Sequence, residues 1–398
     1  MKITVIGAGA IGSAVAQDLL ARDEVTLVQV CDAHARLLKK LQDSLKNPKL
    51  RSYQIDARDA RVLSPILSGS DVAIACISPA MNPQLARLCV DLGVNFCDLG
   101  GEDSLVHEVL ALNEEARSKS VWVVPNCGLA PGLVNILSRA GIAQFDEVDV
   151  VRLRVGDVPL NPEPPFNFRL SWSASKILDD YTESVRLIEN GEVVEADPLS
   201  HVERLHFPGP FGEMEAFCTA GGLSALVDDL ANHVKTLDHK TVRWPGHADQ
   251  MRFLIGLGFA ERQKIDVRTH LTYRDVLERK MKRRLGGKYE DAVLVRVLIK
   301  GRQHDQIRTL VYEMIELSDP DKNLSAIQRT TSIPVATIAC LLGQRKIDGG
   351  GATPAENIIP GEEFCKLLAD RGLDISTRWY DGRIRVTSEE VLTAPAIG

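Results

Sequence analysis

Residues 2–12 read KITVIGAGAIG: a short strand-like run, Lys2 to Ile6, passes straight into Gly7, Gly9 and Gly12. The GxGxxG spacing with a strand before it and a helical pattern after it is the fingerprint of a dinucleotide-binding βαβ unit. Gly7 permits the tight turn, Gly9 lets backbone approach a pyrophosphate, and Gly12 lets the helix lie close to the strand. The first helical residues, Ala10 and Ile11, would then turn free N–H groups and a partial positive charge toward the phosphates. Asp32 lies 20 residues beyond Gly12, at the end of the second strand pattern. A carboxylate there can accept from both ribose hydroxyls and would repel a 2′-phosphate. Ala33 follows and the nearest arginine is Arg36, so NAD is the expected cofactor rather than NADP. The plain alternative is a tight turn that ends a strand, with Asp32 capping the next helix.

Outward from this unit, strand and helix patterns alternate. Runs at 25–31, 52–55, 72–77, 94–97 and 121–124 read as strands, and 10–21, 33–45, 60–67, 83–92 and 104–118 carry helical spacing. The expected fold class is α/β, a Rossmann-type doubly wound parallel sheet. Ligands on such sheets collect beyond the carboxyl ends of the strands. That rule nominates Asp56 after the third strand, Ile77, Ser78 and Pro79 after the fourth, Asp98 after the fifth, and Gly128 and Pro131 after the sixth. A simple strand-to-helix turn competes at residues 77–79. Asp98, beside Gly100 and Gly101, could pair with a substrate ammonium or take its proton; capping the following helix is the alternative. Cys127 has no evident histidine partner and reads as a buried thiol.

Beyond Pro125 the rhythm changes to longer strands, at 148–155, 292–300 and 307–317, the last two joined by a hairpin loop at 301–306. A second α+β domain on an open, mostly antiparallel sheet is expected. The boundaries are 1–130 for the dinucleotide-binding domain, completed by C-terminal helices within 326–398, and 131–325 for substrate binding and oligomerisation. Residues 349–353 read as a turn.

The chain has 398 residues, 44% hydrophobic and 25% charged, with a net charge of −7. That is ordinary for a globular enzyme, and the acidic balance offers nothing to nucleic acid. Eight cysteines are scattered without a CxxC pair, no histidine–acid cluster suggests a metal, and His201 and His206 fall on opposite faces of a strand pattern. No apolar stretch approaches membrane-spanning length. A reducing cytoplasm is the expected setting. A homodimer or higher homo-oligomer is expected through the open face of the second sheet.

Residues 128–138 (GLAPGLVNILS), with DLGG at 98–101, VGDVPLNPEPP at 155–165, DYT at 180–182, EAFCTAGGLS at 215–224 and TVRWPGH at 241–247, resemble the saccharopine dehydrogenase-like superfamily, most closely its lysine 6-dehydrogenase branch. The similarity runs over nearly the whole chain. It implies NAD-dependent removal of hydride from the carbon bearing the side-chain amine of L-lysine or a close diamino acid, giving a semialdehyde that cyclises to a piperideine carboxylate. Saccharopine-forming reductases resemble GLDPG where this chain has Ala130, whereas ISPAMN at 77–82 looks more like those reductases.

Within that frame Arg243 is the expected partner of a substrate carboxylate, since a guanidinium forms a two-pronged fork with that group. His247 is expected to move a proton, and Lys176 is a candidate base if its surroundings lower its pKa. Tyr181, Gly222 and Ser224 are expected to line the pocket; a core aromatic and a plain turn are the competing readings. Two other functions stay open: a saccharopine- or opine-type reductive coupling, and a non-catalytic NAD-binding sensor or scaffold.

Overall fold

A computed structural model describes residues 1–381. In chain order the strands among them are β1 (Lys2–Ile6), β2 (Leu27–Asp32), β3 (Leu50–Gln54), β4 (Val72–Ala75), β5 (Asn95–Asp98), β6 (Trp122–Val124), β7 (Glu147–Pro159), β8 (Val185–Glu189), β9 (Glu192–Ala196), β10 (Glu203–Phe207), β11 (Gly212–Cys218), β12 (Thr236–Arg243), β13 (Asp291–Gln303), β14 (Gln306–Leu317), β15 (Gly351–Ala352) and β16 (Ser376–Asp381). They fall into two compact units. One holds 1–140 with 328–374; the other holds 141–327 and the strand after Ile375.

In the first unit seven parallel strands lie in the order β15-β6-β5-β4-β1-β2-β3. The order reverses direction between β1 and β4, the topological switch point where doubly wound sheets bind their ligands. β4 is four buried residues in succession, VAIA, the pattern of a strand covered on both faces. Helices pack on it through Leu63, Leu67, Leu85, Ala86, Cys89 and Val90, all at most 1% exposed. β15 falls within the residues read as a turn. Two residues cannot announce a strand by periodicity; pairing with Trp122 and Val123 of β6 makes them one, and Asn113 Oδ1 accepts from Ala352 N at 3.0 Å.

The second unit is a nine-stranded sheet, β10-β11-β12-β7-β13-β14-β16, with β8 and β9 attached beside β12. Only β12 and β7 run parallel; the other pairs are antiparallel. β13 and β14 pair without interruption to Gln303 and Gln306, leaving His304 and Asp305 as a two-residue turn at φ 48° and 62°. The hairpin is therefore tighter than the expected six-residue loop, with the left-handed pair that suits strand twist. The sheet also curls: Arg296 of β13 donates to the carbonyl of His206 on β10, four places across, at 2.9 Å, and its guanidinium lies 4.4 Å from the Phe207 ring centroid.

Two expectations about this unit need correction. The expected open face is absent along β13, whose first nine residues are all buried. The boundaries also move. Helix Leu133–Ile142 belongs mostly to the first unit, where Gly361 leaves room for Ala140 that a Cβ would close to 2.3 Å. β16 pairs with β14 and so belongs to the second unit rather than completing the first. The rest of the expected C-terminal segment, 382–398, lies outside the described residues. No helix among the described residues is long and apolar enough to cross a membrane.

Candidate active site

In the first unit the glycine loop has the shape the sequence required. Gly7 sits at φ 110°, and a Cβ there would meet the Cys76 carbonyl oxygen at 2.4 Å. A Cβ on Gly12 would stand 2.0 Å from the Gly7 carbonyl oxygen, whereas nothing lies within 4 Å of one built on Gly9. The open side of Gly9 faces no protein atom, and helix Ala10–Leu20 begins there without a side-chain cap, so the N–H groups of Ala10 and Ile11 stay available to a phosphate. Asp32 Oδ2 accepts from Ala8 N and Oδ1 from His34 N, both at 2.7 Å. Burial works to raise its pKa, but these N–H groups and the His34 ring outweigh it and hold the carboxyl below its ordinary value. The side chain is thus fixed and ionised, with lone pairs left for ribose hydroxyls. Glycine cradle and acid together fit a dinucleotide.

The loops after β4, β5 and β6 converge. Gly101 lies against Pro79 and Gly100 against Pro131. Asp98 is 1% exposed, and its Oδ1 accepts from Gly100 N at 2.7 Å and Asn126 N at 3.0 Å. Its carboxylate therefore holds loop backbone in place. Burial pushes it up to about 6, against the pull of those two N–H groups. Ser78 heads the short turn Pro79–Met81, Ile77 packs beside Gly7, and Gly128 pairs with Gly132 around Pro131. Asp56, after β3 at the sheet edge and half-exposed, is ion-paired to Arg58 at 2.6 Å. Cys127 is buried, with burial raising its thiol further.

Because the folded-state pKa of Asp98 lies above that of a free carboxyl, its contribution favours folding below about pH 4 and is lost as pH rises through about 6. Asp98→Asn keeps an acceptor for both N–H groups without the charge. Relative to wild type, the variant should gain roughly 2–3 kcal/mol in unfolding free energy between pH 4 and pH 8. Urea denaturation at both pH values reads the difference, and a constant gap would mean the carboxylate is not held up by burial.

The second unit carries a buried polar line on one face of β7, β11 and β12. Parallel pairing places Thr241 opposite Val155, so two residues further on Arg243 stands beside Asp157. Arg243 Nη1 donates to Asp157 Oδ1 at 2.6 Å and to its carbonyl at 2.8 Å, while Nε donates to Tyr181 Oη at 3.3 Å. Tyr181 Oη lies 3.1 Å from His247 Nε2. Ser171 Oγ bonds the other Asp157 oxygen. Glu215 of β11 accepts from Gly246 N and Ala248 N, both at 2.8 Å, and this charged cap seats helix His247–Gly256. Burial and then the Arg243 guanidinium push His247 well below its ordinary value; burial raises Tyr181, against Arg243.

Arg243, Tyr181 and His247 are thus brought together as the sequence suggested. Lys176 is not free to act as a base. Asp180, one helical turn on, sits 2.9 Å from its Nζ, and although burial lowers the ammonium's pKa, Asp180 outweighs that and raises it. Gly222 is pressed onto the His239 ring, which a Cβ would meet at 2.3 Å, and Ser224 is buried at φ 47°. Asp157, Glu215 and His239 were not singled out from sequence, although VGDVP and EAFC contain the first two. No group of three His, Cys, Asp or Glu residues stands together as a metal site among the described residues.

Comparison with known proteins follows this division. The Saccharopine dehydrogenase NADP binding domain matches residues 3–124, and the Saccharopine dehydrogenase C-terminal domain matches residues 128–373. A carboxyaminopropylagmatine dehydrogenase from Synechocystis is 21% identical over 94% of this chain and 96% of its own. A saccharopine dehydrogenase [NADP(+), L-glutamate-forming] from Schizosaccharomyces pombe is 22% identical over 65% of this chain and 58% of its own. Among solved structures, the L-glutamate-forming saccharopine dehydrogenase of Saccharomyces cerevisiae superposes with a TM-score of 0.78 at 16% identity, covering 95% of this chain and 99% of that one. The homospermidine synthase of Legionella pneumophila, solved with NAD, gives 0.68 at 14% identity, covering 98% and 94%.

Proposed function

The chain belongs to the saccharopine dehydrogenase family, and from that premise we propose that it is an NAD-dependent dehydrogenase acting at a carbon–nitrogen bond of a basic amino acid, with oxidative deamination of the side-chain amine of L-lysine as the reaction to test first. NAD, when bound, supplies the hydride acceptor. Gly7, Gly9, Gly12, Ala10 and Ile11 hold its pyrophosphate, and Asp32 holds the adenosine ribose and disfavours NADP.

The observation that carries the amino-acid reading is Arg243. It is 4% exposed, Asp157 balances its charge, and its Nη1 and Nε are committed to protein acceptors, while Nη2 has none among the described residues. A buried donor held in this way suits a substrate carboxylate. The substrate amine must lose a proton before hydride leaves the adjoining carbon, so turnover should rise with pH as the free amine forms. Purified protein with NAD and L-lysine should generate NADH; silence across a panel of basic amino acids would refute the substrate class.

A second reading is reductive coupling of an amine to a carbonyl acid. It is favoured by the ISPAMN segment and by the match with carboxyaminopropylagmatine dehydrogenase over almost its full length. NADH consumption only when amine and carbonyl acid are both supplied would select it. The homo-oligomer stays a proposal, tested by light scattering of the purified chain.

A further inference from the structure

The hydrogen bonds around Tyr181 have only one fully satisfied direction. A guanidinium Nε–H can only donate, so the Tyr181 oxygen accepts from Arg243 at 3.3 Å. Tyr181 has one hydroxyl hydrogen of its own, and the acceptor within reach is His247 Nε2 at 3.1 Å. Were Nε2 to carry the imidazole hydrogen, two donors would converge on the phenol oxygen. The hydroxyl hydrogen would then be stranded in a side chain that is 2% exposed, an arrangement folded proteins avoid. The ring cannot swing away to another partner. It is 3% exposed, 4.6 Å from the Phe168 centroid and 6.0 Å from that of Phe217, and Glu215 anchors the backbone on both sides of it.

We propose that Asp157, Arg243 and Tyr181 lock His247 as the neutral Nδ1–H tautomer, so that it presents a hydrogen-bond donor to an oxygen of the substrate and not a lone pair to the substrate's amine. Nδ1 has no protein partner among the described residues, as Arg243 Nη2 has none, and the Phe168 ring lies against both groups, with the Arg243 Cζ 5.3 Å from its centroid. Two donors without protein acceptors, on side chains that share the Tyr181 hydroxyl and pack on one aromatic ring, suit a carboxylate. Tyr181 is then a positioning residue: it touches no reacting atom and acts by setting which nitrogen of His247 bears the hydrogen. Burial and the neighbouring Arg243 both disfavour an imidazolium here, in keeping with a ring that stays neutral. The carboxylate assignment rests on the proposed amino-acid substrate; the tautomer does not.

Long-range 1H–15N correlation on the full chain with labelled histidine tests the tautomer without any substrate. The His247 signal, one of nine, is identified by its loss in His247→Asn. The expected pattern is a protonated Nδ1 and an unprotonated Nε2, unchanged from pH 5.5 to 8.5, with Tyr181→Phe moving the ring toward the Nε2–H form. A protonated Nε2 in the wild type, or a ring that titrates in that window, overturns the proposal. Once a substrate is in hand, the carboxylate role has its own readout. Asparagine places an amide donor near the Nδ1 position and glutamine near Nε2, so KM for His247→Gln should exceed that for His247→Asn by about tenfold, with the acidic limb of kcat/KM present in both. Loss of that limb in both variants would make His247 the base and sink the donor role, whatever the spectrum shows.

Discussion

Replacing Asp32 with serine should lower kcat/KM for NAD about 100-fold and raise it for NADP at least tenfold, reversing the cofactor preference. The first change is the loss of charge-assisted hydrogen bonding to the ribose, a net cost of roughly 1.5–3 kcal/mol because serine keeps one weaker neutral bond. The second is removal of a fixed negative charge that a 2′-phosphate would otherwise meet at close range, a repulsion of several kcal/mol where solvent screens poorly (about 4 kcal/mol at 4 Å). The size of both effects depends on how well the carboxylate is held. Ala8 N and His34 N fix its two oxygens at 2.7 Å, so the rotamer is set before any ligand arrives and little ordering is left to do on binding. Because its pKa stays low, KM for NAD should also be flat between pH 6 and 9 as far as this group governs it. Steady-state kinetics with both dinucleotides checks each part, with circular dichroism to confirm the fold; a wild type that already prefers NADP would refute the role given to Asp32.

The cofactor half was legible because its logic is local. GAGAIG is contiguous, Gly12 is required by the Gly7 carbonyl within the same turn while Gly9 stays open for a ligand, and Asp32 follows at the distance that one helix and one strand impose. The first unit's strands came through for the same reason, each being a short apolar run between polar breaks. What escaped notice depends on partners distant in sequence. β15 is a strand only because Trp122 and Val123 pair with it. The helical pattern at 104–118 is broken into Asp103–Leu110 and Asn113–Ser118, and Asn113, which opens the second piece, spends its side chain on Ala352. In the second unit Arg243, Tyr181 and His247 could be nominated from their motifs, but the motif cannot say what they are tied to. Asp157 is 86 residues before Arg243, and only the parallel register of β7 and β12 sets them side by side. That pairing changes what Arg243 can do: it arrives at the site already neutralised, with one nitrogen left to offer. The same ignorance of partners misled the reading of Lys176, whose pKa Asp180 holds up.

Arg243→Met should therefore cost both stability and activity, and a double variant separates the two. Methionine fills the space but leaves the Asp157 carboxylate, 8% exposed, without its counter-charge, and breaking one side of a buried ion pair typically destabilises by about 3–5 kcal/mol. Asp157→Asn in the same chain removes the stranded charge, so Arg243→Met/Asp157→Asn should recover at least about 2 kcal/mol relative to Arg243→Met alone. Activity should not recover with it. Nη2 is gone in both variants, and kcat/KM for the amino-acid substrate should stay about 100-fold or more below wild type while NAD affinity, which depends on residues of the other unit, is retained. Arg243→Lys should behave more like methionine than like arginine. An ammonium can face Asp157 or a substrate, but it lacks the planar fork that reaches Asp157, Tyr181 and a ligand from three nitrogens at once. Denaturation, calorimetry with NAD and kinetics on the three variants give separate readings of fold, cofactor and substrate. If the double variant regained turnover along with stability, Arg243 would be a strut of the sheet and the carboxylate would have to bind elsewhere.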